Sequence, residues 1–480
     1  MRRLLTVFFV LLGLVDLWAQ EYVKGLVLRS DNGEPVPFVN VIIPDLGKGA
    51  VANGDGRFNF RLPEGFRGEM EVVFSHVGFE VERIKLRSLM DGFVEVRLSP
   101  SEYDLDQAVV LSFDPKKIME RAKENLVNTQ YGTPYDMDIF YREIVWGNGK
   151  VQGLTRAKGS FHTEGFHLHQ VNKPSTSGHH YHFMAFDHIQ KTDYGILNGR
   201  TGRARSAIGD RYFPGIIFQI WGFRTNWFDY ELKGGKKFGD RDVYVLTVKG
   251  KNPKINNRAV KWGHSHYGLL ENAVFYIDQE DYGVHMIEFS QSYSGVKEYR
   301  KASGHTNAPK KRESLVQFQR NKHGQYLFAY ANYSEWYTDY GYDTEDLPQV
   351  IEVKDYAEVH VLDYDFSEKD TKDLKLKYHA PVVGNSPDRR LNYHADWYNR
   401  WIFISGKARY NPNFWEQFVY PEYPGEKEFE KVLAMDKPLE EQYRSFSNNQ
   451  MYLLPLLRRR HGKTEGIWNR TGLHPDGASY

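Results

Sequence analysis

The chain has 480 residues and a formal charge of +1, with 63 basic residues against 62 acidic ones. That balance lacks the basic stripe or high pI of a nucleic-acid surface, so no nucleic-acid partner is expected. With no cysteine in the sequence, disulfides, thiolate metal sites, cysteine nucleophiles and a lipid-modified N-terminal cysteine are excluded.

Residues 1–20 read as a signal peptide. Arg2 and Arg3 precede an apolar run from Leu4 to Leu17, and the small Ala19 comes just before Gln20 and Glu21. This charged, apolar, small-residue order is the pattern of export signals. The run is shorter than the ~20 residues of a membrane-spanning helix, and no later stretch approaches that length. The mature chain is therefore expected to be exported, periplasmic or outer-membrane-associated, and peripheral to the membrane. Aromatic residues make up 15% of the chain and favour strands.

Residues 21–100 carry short strand signals: Val23 to Leu28, Val36 to Ile43, Arg57 to Leu62, Glu71 to Ser75 and Phe93 to Leu98. Turn clusters separate them, among them Ser30-Asp31-Asn32-Gly33 and Asn53-Gly54-Asp55-Gly56. Strands at this spacing predict a β-sandwich. Asn53 and Asp55 place two oxygen donors close together, but a calcium ion needs about six, so the segment reads as a turn. The order Lys24-Gly25-Leu26-Val27, Gly33-Glu34-Pro35-Val36-Pro37-Phe38-Val39-Asn40-Val41, Gly54-Asp55-Gly56-Arg57-Phe58 and Val77-Gly78-Phe79 resembles the carboxypeptidase-regulatory-like domain. That resemblance implies a transthyretin-like, seven-stranded sandwich of a kind that often precedes TonB-dependent outer-membrane receptors and other envelope proteins. It does not imply peptidase activity.

A second domain is expected over residues 114–365. Asp114 is placed as an N-cap with Pro115 at the first helical position. Ile118, Ala122 and Leu126, with Met119 alongside, form one apolar stripe. Strand signals follow at Met137 to Val145 and Asp242 to Gly250. Hairpins are expected for Ala273 to Asp278 with Tyr282 to Phe289, and for Leu315 to Arg320 with Tyr326 to Tyr333. Ile351 to Tyr364 closes an antiparallel meander. The strands should curl round the helix stripe and leave an apolar or aromatic-lined concavity. The pairing of Asp242-Val243-Tyr244-Val245 with Val274-Phe275-Tyr276-Ile277-Asp278, and the later Asn411-Pro412-Asn413-Phe414-Trp415-Glu416, resemble the half-barrels of lipoprotein carriers. Residues 366–480 read as a charged loop, short helices such as Glu426 to Ala434, and a polar tail. The expected fold class is mainly β: the sandwich, then a larger antiparallel β domain with a few helices.

Seven of the 18 histidines fall between His162 and His188. His167 with His169, and His180 with His182, share a strand face if the segment is extended, which is the pattern of an imidazole metal site. Surface or partly buried rings in a loop-rich stretch are the alternative, and neither a metal nor a cofactor is expected. His264-Ser265-His266 is a similar pair. His285 and Glu288 have a zinc-peptidase spacing, but three residues apart on a strand they face opposite ways. No nucleophile elbow or phosphate loop occurs. The sequence thus points to a non-enzymatic envelope accessory protein that binds an outer-membrane protein complex, such as one with a TonB-dependent receptor, or a hydrophobic or glycan ligand. An envelope hydrolase with a metal or paired-carboxylate site in residues 160–290 is the alternative. Tyr480 is a C-terminal aromatic, as in integral barrels, but residues 471–480 do not alternate as a membrane strand would. N-terminal sequencing of protein from the native envelope is expected to start near Gln20 or Glu21, and an intact Met1 would refute export.

Overall fold

The computed structural model describes residues 22–62, 65–101, 114–133, 135–163, 182–193, 228–250, 272–292, 307–339, 350–367 and 402–446. The N-terminal part is a sandwich of seven strands. One sheet has the order β4 (Arg57–Arg61), β1 (Tyr22–Arg29), β7 (Phe93–Leu98). The other has the order β3 (Lys48–Val51), β2 (Asn40–Ile43), β5 (Glu71–Ser75), β6 (Glu82–Lys85). Alternation sends Val23, Val27, Phe58, Phe60, Val72 and Phe74 into a core of the sandwich's own. The strand expected from Val36 begins only at Asn40. Pro37 has no N–H to donate, and Phe38 takes a left-handed backbone with φ 58°, so neither can extend the ladder. Asn53-Gly54-Asp55-Gly56 is a turn: the Asn53 side chain accepts the Arg57 amide at 2.9 Å, and Gly56 has φ 77°.

Helix α1 (Pro115–Glu124) starts where the sequence places it, with the Asp114 side chain accepting the Lys116 amide. It breaks at Asn125, and the short α2 (Leu126–Thr129) follows. The remaining strands make one sheet of eleven. They are β8 (Tyr135–Gly147), β9 (Lys150–Thr163), β10 (His182–Lys191), β11 (Phe228–Phe238), β12 (Arg241–Gly250) and β13 (Asn272–Asp278). Then come β14 (Val284–Ser292), β15 (Asn307–Arg320), β16 (Tyr326–Asp339), β17 (Ile351–Asp365) and β18 (Ile402–Arg409). The spatial order is β11-β12-β13-β14-β15-β16-β17-β8-β9-β10-β18. Every pairing is antiparallel except β10 with β18. Both expected hairpins are present, as β13–β14 and β15–β16.

In the last part of the chain the helix signal from Glu426 to Ala434 corresponds to a helix, with further elements around it. Besides strand β18, this part holds α3 (Pro412–Gln417), α4 (Glu426–Leu433) and α5 (Leu439–Phe446). Residues 411–446 form a strap across the sheet. Of the expected charged loop and polar tail, residues 368–401 and 447–480 lie outside the described residues.

The eleven-stranded sheet is covered on both faces, and its residues sort by parity. Met137, Ile139 and Tyr141 of β8, Leu246 and Val248 of β12, Phe275 of β13, Val316 of β15 and Val359 of β17 share one core with Ile118, Met119, Ala122 and Leu126. That face is the inner one, and α1 lies on it. The sandwich and the strap lie on the outer face. Val51 and Val77 of the sandwich, with Phe38 beside them, pack against Phe238, Val243, Met286, Leu315, Ala329 and Tyr330. Lys48 pairs with Asp363 and Arg83 with Asp240, and the Gly78 amide donates to the Lys237 carbonyl at 3.0 Å. The sandwich has its own core, and its share of this junction is small. Residues 21–100 expressed alone are therefore expected to give a soluble β protein with one cooperative unfolding transition, followed by circular dichroism. An unfolded fragment would mean that sandwich and sheet share one core.

Candidate functional site

The inner face changes character along the strands. Around α1 it is apolar, with the partly buried aromatics Tyr131, Phe228, Tyr230 and Tyr282 at its margin. Arg121 fastens α1 to this margin. Its guanidinium donates to the Tyr282 hydroxyl at 2.7 Å and lies 5.4 Å from the centre of that ring. The Asn125 amide also donates to the Asp281 carbonyl. A second group of rings, Tyr131, Tyr135, Tyr364 and Phe366, closes the other side, and Phe366 is exposed. Towards the opposite strand ends the same face turns polar. Arg312 and Glu335 pair directly across β15 and β16 at 2.8 Å. Asp355 stands opposite Glu335 in the next strand, and Glu143 accepts from the Tyr141 hydroxyl at 2.9 Å. All four of these charged residues are buried.

The outer face is ordered in rows that cross the strands. One row runs Leu315, Asn332, Glu358, Arg142, Arg156. Arg142 is fully buried and donates to Glu358 and to the Pro421 carbonyl of the strap; Glu426 lies 3.3 Å away. Arg156 donates to Glu426 at 3.0 Å and to Tyr443 at 3.1 Å, and it also reaches Tyr420 and Glu430. The Tyr420 ring stacks on Phe140 at 4.9 Å. From the sandwich, the Asn53 amide donates to the Glu422 carbonyl at 2.7 Å. Burial pushes the Glu358 carboxyl up, but Arg142, His360 and Tyr356 outweigh it and hold it at about 2. Burial likewise raises the nearby Asp55 carboxyl, against the pull of Arg57. This row joins sheet, strap and sandwich through charge, and its work is structural.

Of the sequence-selected histidines, His167, His169, His180, His264 and His266 lie outside the described residues. His182 opens β10 opposite Thr163. His188 is half-buried and stacks on Phe414 at 3.7 Å. Among the described residues no three His, Asp or Glu side chains are arranged to hold a metal. His285 and Glu288 find different partners: His285 Nε2 lies 3.1 Å from Asp278, whereas Glu288 accepts from Tyr276 at 3.1 Å. Asp278, His285 and Tyr326 resemble a proton relay at first sight. However, Asp278 and Tyr326 both approach the same Nε2, whereas a triad uses the two ring nitrogens for different partners. Asp278 also takes two bonds from Arg241 at 2.7 Å and accepts the backbone amides of Glu280 and Asp281. Burial raises its carboxyl, but His285 and Arg241 more than reverse this and leave it well below the usual range. The constellation locks the β13–β14 turn.

Sequence reasoning did not single out Arg142, Arg156, Glu358, Arg312 or Glu335. The available signal was charge in the middle of apolar strands, as in Phe140-Tyr141-Arg142-Glu143-Ile144. Such charges, on strands covered on both faces, must be paired.

Comparison with known proteins identifies residues 23–110 as a CarboxypepD_reg-like domain. A TonB-dependent receptor of Formosa agariphila is 30% identical over 102 residues, which are 21% of this chain and 9% of the receptor. A second TonB-dependent receptor of that organism is 25% identical over 117 residues, 24% of this chain and 11% of its own length. The chain thus spans about a tenth of these curated relatives. Among solved structures, a putative outer membrane lipoprotein-sorting protein domain from Vibrio parahaemolyticus aligns with 55% of this chain and 98% of its own, at 9% identity and a TM-score of 0.25. A LolA superfamily protein from Nitrosomonas europaea covers 54% of this chain and 96% of its own, at 12% identity and a TM-score of 0.21. Scores this low support no argument about function.

The Glu358 pair sets a pH dependence. A carboxyl lowered from 4.5 to about 2 on folding contributes stability that is present above its unfolded pKa and is lost as pH falls through its folded one. Denaturant unfolding should therefore show stability falling from pH ~4.5 to ~2, with a shallower fall in Glu358→Gln. That variant leaves Arg142 short of a counter-charge and is expected to lose about 3–5 kcal/mol at pH 7.

Proposed function

We propose that the chain is a non-enzymatic accessory protein of the cell envelope that works by binding a hydrophobic ligand on the inner face of its large sheet. The observation that carries this reading is the asymmetry of cover. The sandwich and the strap cover much of the outer face, and the apolar clusters there are closed by them. On the inner face, among the described residues, α1 and α2 are the elements that overlie a continuous apolar core. Eleven strands are more than an open twisted sheet keeps flat, and a sheet bent round a helix makes a concave apolar surface, the usual form of a ligand site. The inner face also grades from apolar to buried polar, with Arg312 and Glu335 at one end, which suits a ligand with an apolar body and a polar head. Beyond the apolar packing of Ile118, Met119 and Ala122, α1 is fastened at its edge by the clasp through Arg121, Tyr282 and Asn125, so a ligand that displaces the packing has also to open this clasp.

The CarboxypepD_reg-like domain and its likeness to segments of TonB-dependent receptors support an outer-membrane setting and a protein partner there. Co-purification from detergent-solubilised outer membrane, with identification of what accompanies the chain, tests the partner.

Displacement of an apolar fluorescent dye by long-chain amphiphiles tests the ligand. The wild type should bind the dye in its folded state and release it to the amphiphile. Arg121→Ala, which unfastens the clasp, should exchange ligand at least about fivefold faster. A folded protein that takes up no dye and no amphiphile would sink the reading.

A further inference from the structure

The outer face carries a second row, beyond the strap and the sandwich, that none of the interactions above uses. Lys311 of β15 stands opposite Trp336 of β16, Trp336 opposite Lys354 of β17, and Lys354 opposite Trp146 of β8. Cation and indole alternate across four adjacent strands. The Lys311 ammonium lies 5.0 Å from the Trp336 ring centre. The Lys354 ammonium lies between two indoles, 4.7 Å from Trp146 and 5.6 Å from Trp336. Phe429 and Tyr423 of the strap continue the line beyond Trp146, at 5.8 Å and 6.4 Å. Trp146, Trp336 and Lys354 are half-buried and Lys311 is exposed.

The charges in the row are unequal. Lys311 has a carboxylate partner in Glu313 at 2.5 Å, and the neighbouring Lys310 is paired with Glu352. Among the described residues the Lys354 ammonium has neither an ion-pair nor a hydrogen-bond partner; Glu313 acts on it only at a distance. Burial against the rings lowers its pKa. A half-desolvated ammonium with no anion of its own is a standing cost that an incoming anion would relieve.

The geometry is also periodic. Adjacent strands lie ~4.8 Å apart, so the two indoles and the two ammonium groups each recur at about 10 Å along a line perpendicular to the strands. That is about the advance of two pyranose rings along an extended chain. A lipid surface, being fluid, does not require such one-dimensional order; a linear polyanion, whose charged groups recur at a fixed step along the chain, does. We propose that the row Lys311, Trp336, Lys354, Trp146 is a binding site for an acidic polysaccharide lying across the strands. Lys311 and Lys354 meet carboxylate or sulfate groups on alternate sugars, and the indoles pack against the sugars between them. Lys311 exchanges Glu313 for the polymer, whereas Lys354 needs no exchange. The site is on the face opposite to α1, so its failure and the failure of the inner-face reading are independent.

The test uses the full chain with polygalacturonate and dextran sulfate as probes, read by affinity electrophoresis and titration calorimetry at low and high salt. Fully methyl-esterified polygalacturonate is the uncharged control, and phosphatidylglycerol vesicles are the alternative surface. The wild type is expected to bind at least one polyanion, more weakly in high salt, and to leave the ester unbound. The double variant Lys311→Gln/Lys354→Gln, and separately Trp336→Leu, should each weaken binding about tenfold or more with the melting temperature held. Lys354→Arg, which keeps charge and ring contact, should retain binding. The proposal is overturned if the wild type binds neither polyanion, if the ester binds equally well, if vesicles bind where polymers do not, or if the folded double variant binds like the wild type.

Discussion

A guanidinium with no exposure to water governs how this molecule is assembled. Arg142 lies in the middle of the large sheet, and a buried charge is tolerable only when it is paired and its donors are used. Glu358 on the neighbouring strand supplies one partner, and the strap supplies the others through the Pro421 carbonyl and Glu426. The strap therefore has to lie where it does. Once it is there, Tyr420 and Tyr423 cover the apolar part of the outer face, and the sandwich meets the strap through Asn53. A pair of this kind adds little net stability over a well-packed apolar core, but breaking it is costly. Its effect is to make one arrangement of sheet, strap and sandwich acceptable and others expensive.

With the strap and the sandwich seated on its outer face, the sheet keeps its inner face for α1. The two faces differ in kind. Charge in the outer rows ties modules together, while the inner core gathers aliphatic and aromatic side chains around a single short helix. Binding, whether of a ligand inside or a polymer outside, is chemistry suited to such surfaces. Asp278 and His285 are committed to the β13–β14 turn, and His188 to its stack on Phe414.

Much of this architecture is legible in the chain. The sandwich declares itself through short strands, turn residues and family motifs, and Asp114-Pro115 with the Ile118, Ala122, Leu126 stripe fixes α1. The hairpins at β13–β14 and β15–β16 follow from their turn residues. Strands β9, β10 and β11 are less legible because Lys, Arg, Gly and His interrupt their apolar alternation, as in Gly153-Leu154-Thr155-Arg156-Ala157-Lys158-Gly159. These residues are compatible with a strand only because the strap and neighbouring strands supply partners for them. The outer rows leave no local signal for a further reason. Arg142 and Glu358 are 216 residues apart, and Arg156 and Glu426 are 270 apart, so no local pattern links them. The strap itself looks like a polar end until Arg142 and Arg156 give its glutamates something to hold.

The strand order also bears on how the chain reaches this state. Strand β8 is among the first of the large sheet to be made, yet it sits between β9, its immediate successor, and β17, which begins at Ile351. Until β17 pairs with β8, β8–β9–β10 and β11–β17 are separate half-sheets, each with a long unpaired edge at the future seam. Joining them closes a loop of about two hundred residues, a step whose entropy grows slowly with length but which delays folding because the contact is so remote. The seam between β8 and β17 is therefore expected to be the slowest structure to form, and the interval before it forms is when the open edges are most exposed to pairing with other chains.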